Sequence, residues 1–194
     1  MTVAIQDVRG AVARRISVAS TGSVSTASFP EIFQQTAPLM WRVLRHLGVT
    51  AADVPDVCQE VFLVVHRRLP EYDAGKSSLR TWIYGICLRA ASQYRRRTRR
   101  LREVPEPETH QRSVMADQED ELERKRAREW LHRALEQVDE SDRIFFVLHE
   151  IEELSMKEIA AVVGCPLQTG YSRLHRARRE VEKAFRAVAS EKRR

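Results

Sequence analysis

Two stretches of the chain gather side chains whose chemistry is the recognition of nucleic acid. Gln168, Tyr171, Ser172, His175, Arg176 and Arg179 recur at helical spacing, with Arg173 at the boundary of the set. Amide, hydroxyl, imidazole and guanidinium groups on one helix face can read base edges and neutralise phosphates. Upstream, Arg89, Arg95, Arg96, Arg97, Arg99, Arg100 and Arg102 crowd together with no acidic residue among them. Tyr72, Trp82 and Tyr84 precede the main arginine run, and Tyr94 lies just inside it. Aromatic faces stack unpaired bases while guanidinia hold the backbone, which is the combination single-strand binding requires. Trp82 itself is expected to pack in the core.

Bond-making chemistry has no comparable support. His46, His66, His110, His132, His149 and His175 fall in no metal-ligand spacing, and no Gly-rich phosphate loop or nucleophile motif occurs. A catalytic site, a metal and a cofactor are therefore not expected. Cys58, Cys87 and Cys165 are odd in number, far apart and outside any C-x-x-C, which argues against a disulfide framework or a zinc site and fits a reducing cytoplasm. Each is expected to be a buried small hydrophobe. The longest apolar runs, Val61 to Val65 and Ile83 to Leu88, fall far short of the roughly 18 residues that span a bilayer, so membrane insertion is not expected. Lys and Arg number 33 against 27 Asp and Glu, a net charge of +6 and a pI near 9.6, which points to a polyanionic partner.

The elements that must position these groups are helical. Only 7 Gly and 7 Pro are spread over 194 residues, which disfavours a strand-and-turn fold. The first 28 residues read as a disordered extension. Ser28, Pro30 and Glu31 then start a helix whose Ile32, Phe33, Leu39, Met40, Val43, Leu44 and Leu47 form one apolar face, and Gly48 stops it. A second helix, from about Asp53 to Leu69, turns Val54, Val57, Val61, Phe62 and Val65 inward and Asp56, Gln59, Glu60 and Arg67 elsewhere. After a loop from Pro70 to Ser78, Ser77 or Ser78 caps a third helix that carries Leu79, Trp82, Ile83 and Ile86 inward and runs straight into the arginines. Residues 29–102 thus make one three-helix domain.

Residues 103–125 read as a linker, with Pro105 and Pro107 and then the acids Asp117, Glu119, Asp120, Glu121 and Glu123, which form an interaction surface or a solvated helix start. A second domain, 126–187, opens with Trp130, Leu131, Leu135 and Val138, and a short helix follows Asp139-Glu140-Ser141. Ser155-Met156-Lys157-Glu158 is a capping box, Gly164 permits a sharp turn and Pro166 starts another helix. A short helix, a Gly-containing turn and a longer basic helix make the plan of a helix-turn-helix, whose second helix enters the major groove. On that helix Leu167, Leu174, Ala177 and Val181 are expected to face the domain. Residues 188–194 read as a basic tail. The fold class expected is all-α, two small helical domains joined by a flexible linker.

Several motifs resemble those of the extracytoplasmic-function sigma factors of the sigma-70 superfamily. Asp56-Val57-Cys58-Gln59-Glu60-Val61-Phe62 is similar to that family's D-x-x-Q-E-V-F, and Leu79-Arg80-Thr81-Trp82-Ile83-Tyr84 to its F-R-T-W-L-Y. Glu158-Ile159-Ala160 with Gly164, and Ser172-Arg173-Leu174-His175-Arg176-Ala177-Arg178, resemble its E-I-A, G and S-R-L-x-R-A-R. The chain departs from the pattern at Arg89, where the family usually has Asn, at Ser92, usually Asp, at Gly170, usually Val, and at Tyr171, usually Lys or Arg.

The resemblance implies that Asp56, Gln59 and Glu60 dock on core RNA polymerase. It implies that Tyr72, Lys76, Ser77, Trp82, Arg89, Arg95, Arg96 and Arg97 meet the melted minus-ten element, and that Gln168, Tyr171, Ser172, Arg173, His175, Arg176 and Arg179 meet the minus-thirty-five duplex. Promoter DNA and core polymerase are then the expected partners. An anti-sigma factor is admitted by the family, though no residue here shows one. The competing reading is a stand-alone dimeric helix-turn-helix regulator, which explains the C-terminal domain but leaves the Gln59-Glu60 helix and the arginine helix idle.

Overall fold

The computed structural model describes residues 29–102 and 119–191; residues 1–28, 103–118 and 192–194, which hold the expected N-terminal extension, most of the expected linker and the end of the expected tail, lie outside the described residues. The described segments are helical, and the chain splits into two compact units. The first carries α1 (Phe29–His46), α2 (Val54–Arg68), a 3-10 turn (Leu69–Glu71) and α3 (Leu79–Arg102). The second carries α4 (Glu119–Glu136), α5 (Glu140–Phe146), a π-helical turn (Val147–Ile151), the start of α6 (Met156–Val163), as far as Ile159, and α7 (Leu167–Glu191), Ala160–Cys165 being grouped with the first.

In the first unit each of the three helices packs on the other two. Ile32, Leu39, Met40, Val43 and Leu44 of α1 meet Val54, Val57, Val61 and Val65 of α2 and Ile83, Tyr84, Cys87 and Ala91 of α3 in one buried core. Each Val, Leu, Ile or Met among them contributes about 1.5–3 kcal/mol on full burial. The α1 stop is a left-handed cap. Gly48 has φ 92°, its N–H reaches the Arg45 carbonyl at 3.0 Å, and the Val49 N–H reaches that of Leu44 at 3.0 Å. Pro38, inside α1, is tolerated on an exposed face. Ser78 Oγ accepts the Thr81 N–H at 3.1 Å and so caps α3.

In the second unit α4 and α5 pack on α7. Leu131, Leu135, Val138, Phe145, Leu148, Ile159, Leu174, Ala177 and Val181 are buried. Asp139 caps α5, its carboxylate accepting the Ser141 N–H at 2.9 Å; the Ser141 hydroxyl, donating to the same oxygen at 2.6 Å, and then that N–H hold the Asp139 carboxyl below its ordinary range. The capping box before α6 forms in both directions: the Ser155 N–H donates to Glu158 Oε2 at 2.9 Å, and the Glu158 N–H to Ser155 Oγ at 3.3 Å. Gly164, with φ 75°, makes the turn into α7.

Three boundaries differ from the sequence expectation. The helix α4 begins at Glu119, inside the interval read as linker, so the acids Glu119, Asp120, Glu121 and Glu123 stand in its opening turns. The long helix α7 runs to Glu191, beyond the expected domain end. The helix expected after Ser141 changes to π geometry at Val147 and ends at Ile151, two residues before Glu153, which takes φ 58°. A π turn depends on tertiary packing, so hydrophobic spacing does not announce it.

Candidate nucleic-acid interface

Asp56, Gln59 and Glu60 are exposed on one side of α2, opposite the buried Val54, Val57, Val61 and Val65. At 100° per residue, Leu63 falls in the middle of that polar face, and it is 58% exposed. Sequence reading passed over it. Glu60 stands 3.8 Å from Arg97 Nη1 of α3, both side chains more than half exposed, so this contact is weak in water.

The arginine run divides into two kinds. Arg89, Arg96, Arg97, Arg99 and Arg100 are exposed. Arg95 turns inward, and its Nη1 donates to the Leu47 carbonyl at the end of α1. It thereby satisfies a helix-terminal acceptor instead of presenting its charge, which departs from the role expected of it.

The aromatic residues divide in the same way. Tyr84 is fully buried, with Arg80 Nε donating to its hydroxyl at 2.7 Å and the guanidinium 5.5 Å from its ring centre. Tyr94 is buried, and its hydroxyl donates to Asp53 Oδ2 at 2.6 Å. That bond, with a second from Thr50, holds the Asp53 carboxyl below the usual carboxylate range. Neither ring can stack on a base, contrary to the sequence reading. Tyr72 and Trp82 remain half-buried, ring centres 5.4 Å apart and tilted by 50°. Trp82, expected in the core, therefore keeps an accessible surface. The Tyr72 hydroxyl donates to the Ser77 carbonyl at 2.9 Å, fixing the loop, and burial is the first cause that pushes its phenol pKa up. Ser77 is half-buried, and Lys76 is exposed 3.5 Å from Asp73.

On α7, Gln168, Tyr171, Ser172, His175, Arg176 and Arg179 are exposed and Arg173 is half-buried, its guanidinium 5.8 Å from the Phe145 ring centre. Arg176 is not a free cation. Its Nε and Nη2 bind the Asp142 carboxylate at 2.7 and 2.8 Å, and Asp142 is only 3% exposed. The pair raises the guanidinium pKa further, first through its hydrogen bonds and then through the charge of Asp142. Beside it, Glu150 is buried and accepts from Arg178 through Nε at 3.1 Å and through Nη2, with His149 Nδ1 also 3.1 Å away. These carboxylates fix α7 to α5 and the π turn. Sequence reasoning missed them because the partners lie 34 and 28 residues apart, beyond any helical spacing.

Leu174, Ala177 and Val181 face the domain as expected, but Leu167 is 47% exposed. It is the first residue of α7 and sits at the margin of the apolar stripe, so the core covers only part of it. Gly170 is buried, and a Cβ there would lie 2.6 Å from Met156 Sδ and 3.2 Å from Phe145 Cε1. The missing side chain is thus replaced by Met156, a residue suited to irregular gaps.

Cys58 and Cys87 are buried, whereas Cys165 is only half-buried, short of the burial expected of it. Burial pushes the Cys58 thiol up to about 11. Among the described residues no group of three or more His, Cys, Asp or Glu is placed to hold a metal, and no helix is long and apolar enough to cross a membrane.

Comparison with known proteins matches residues 32–101 to the family model Sigma-70 region 2 and residues 128–181 to Sigma-70, region 4. The ECF RNA polymerase sigma-E factor of Escherichia coli (strain K12) is 32% identical over 154 residues, covering 69% of this chain and 74% of that protein. The RNA polymerase sigma-H factor of Pseudomonas aeruginosa is 29% identical over 152 residues, covering 73% and 77%. Two solved structures share the fold. Sigma factor RpoE in complex with the anti-sigma factor NepR from Bartonella quintana has a TM-score of 0.64 at 19% identity, over 81% of this chain and 96% of that one. CnrH in complex with the cytosolic domain of CnrY has a TM-score of 0.58 at 23% identity, over 82% and 88%. These relatives disfavour the stand-alone dimeric regulator. The chain belongs to the extracytoplasmic-function sigma factors of the sigma-70 superfamily, which bind core RNA polymerase and promoter DNA in promoter-specific transcription initiation.

Proposed function

We propose a division of labour in which the first unit docks on core polymerase and holds the melted minus-ten strand while α7 reads the minus-thirty-five duplex. The observation that supports it is that two adjoining helices of the first unit expose opposite charges, acidic on α2 and basic on α3, which approach each other where Glu60 lies 3.8 Å from Arg97. Asp56, Gln59 and Glu60 are exposed on α2, and Arg89, Arg96, Arg97 and Arg100 are exposed on α3. One unit therefore offers the acids of α2 to a protein and the arginines of the adjoining α3 to DNA.

The half-buried pair Tyr72 and Trp82, braced by the Ser77 carbonyl, is the surface on which an extruded base would stack. Unstacking a base costs a few kcal/mol, which the docking contacts and the exposed arginines offset. Exposed Lys76 and Arg89 hold the phosphates of the same strand; Arg95 acts through the end of α1 and not on DNA. Bond-making stays with the polymerase, and the protein is not an enzyme. It acts in the cytoplasm, and an anti-sigma factor is a further partner, which the structural relative RpoE in complex with the anti-sigma factor NepR supports. The domains run from 29 to 102 and from 119 to 191, shortening the linker to 103–118.

Two sets of substitutions test this. Gln59→Ala with Glu60→Ala should abolish co-purification with core polymerase without lowering the unfolding temperature. Arg96→Ala with Arg100→Ala should leave that binding intact and reduce permanganate reactivity of thymines in the melted promoter. Normal melting by the second variant would remove the arginines of α3 from strand capture.

A further inference from the structure

The reading face of α7 is poor in free guanidinium groups at its opening turns. Recognition helices contact base edges chiefly through their N-terminal residues. Here those residues are Leu167, Gln168, Tyr171 and Ser172. Leu167 and Tyr171 are 47% and 51% exposed, the large apolar side chains that the described C-terminal unit leaves open to solvent. They stand four residues apart, hence side by side on the helix surface. The Ser172 hydroxyl donates to the Gln168 carbonyl at 3.0 Å, which ties it to the helix backbone. Arg176 and Arg178 are held by Asp142 and Glu150. Arg173, the guanidinium nearest the start of α7, is half-buried 5.8 Å from the Phe145 ring centre, so the opening turns hold no exposed guanidinium for the guanine contact common in major-groove readout, whereas the thymine C5-methyl is the one base-edge group that an apolar surface recognises.

We propose that Leu167 and Tyr171 form an apolar reading edge that takes the C5-methyl of thymine in the major groove of the upstream promoter duplex. The edge sets a thymine preference that a basic residue at position 171 would not give. This rests on α7 being the recognition helix. Charge further along the helix fits a duplex occupant, since Arg179 and Lys183 are exposed on α7 and can neutralise phosphates of the same duplex.

The test uses holoenzyme, the full chain with core polymerase, and a promoter duplex selected by that holoenzyme from a randomised pool. Each thymine of the upstream element is replaced in turn by deoxyuridine, which removes the methyl and leaves hydrogen bonding unchanged. One or two positions should lose affinity about fourfold, the worth of one buried methyl-sized group (~0.8 kcal/mol). The same replacement should have no effect on the Leu167→Ala, Tyr171→Ala variant, and Tyr171→Phe should behave as the parent. Absence of any deoxyuridine-sensitive position overturns the proposal, as does a Tyr171→Phe loss equal to that of Tyr171→Ala, which would assign the contact to the hydroxyl. Gln168→Ala with Arg179→Ala separates the two levels. If it weakens duplex binding while deoxyuridine is silent, the methyl edge alone fails; if it too is silent, the assignment of α7 fails with it.

Discussion

Restoring a side chain at Gly170 should destabilise the C-terminal unit, although helix propensity argues the reverse. Valine is a better helix residue than glycine by roughly 0.3 kcal/mol in an interior position. Against this, its Cβ would lie 2.6 Å from Met156 Sδ and 3.2 Å from Phe145 Cε1, and its methyls would reach further into the same space. Overpacking of this kind costs about 1–3 kcal/mol. Gly170→Val should therefore lose roughly 1–2.5 kcal/mol, by the difference of the two. Gly170→Ala should be near neutral, because about 1 kcal/mol of propensity gained is offset by moving a flexible thioether.

The decisive measurement is the pair. Met156 is 3% exposed, so Met156→Ala alone should lose about 2–5 kcal/mol. Combined with Gly170→Val it should lose about 1–2 kcal/mol less than the sum, because each change fills or empties the same volume. Trp41, Trp82 and Trp130 are the tryptophans of the chain, so urea unfolding followed by Trp130 fluorescence, in a Trp41→Phe, Trp82→Phe background, reports this unit alone. Additive losses would refute the claim that Met156 occupies the space of the missing side chain.

Two other outcomes follow from the buried acids. Arg178→Ala leaves Glu150, 4% exposed at its side chain, without its guanidinium partner; the unit should lose roughly 2–3 kcal/mol, below the ~3–5 of a fully buried pair because Arg178 is partly solvated, as read by chemical denaturation. Asp53 has its folded pKa depressed by Tyr94 and Thr50, so its contribution is present above its ordinary pKa of 3.8 and is lost as pH falls through the lower folded value. Asp53→Asn should flatten the acid limb of the first unit's stability curve below about pH 4; an unchanged limb would separate that carboxyl from acid unfolding.

How far the sequence could be read depended on the range of the interaction involved. The α1 stop at Gly48, the Ser155 and Glu158 box and the turn at Gly164 are local devices, determined within five or six residues, and they form where spacing placed them. The faces of α2 and of most of α7 follow from the 3.6-residue repeat. What spacing could not supply was competition for the same side chain. Tyr94 looked available for stacking until Asp53, 41 residues away, was brought to its hydroxyl. Arg95 looked available for phosphate until the Leu47 carbonyl, 48 residues away, was brought to its guanidinium. Leu167 failed for a different reason: periodicity assigns a direction, but burial also requires an element on that side.

These competitions change how the basic charge should be counted. Each phosphate neutralised by a free cation releases counterions and adds about −0.9 to the slope of log affinity against log salt. Arg179 is exposed on the reading face, so Arg179→Ala should flatten the slope by about 1. Arg176 is equally exposed along the chain of α7, yet its charge is already balanced by Asp142 through two short bonds. Its loss should leave the slope unchanged while lowering affinity, because the freed Asp142 carboxylate adds a negative charge behind the helix and α7 loses a tether. Titrations of a promoter duplex by holoenzyme at several salt concentrations separate the two variants. A slope reduced equally by both would mean that the Asp142 pair opens on DNA, and that Arg176 reaches phosphate at the expense of the contact that positions its helix.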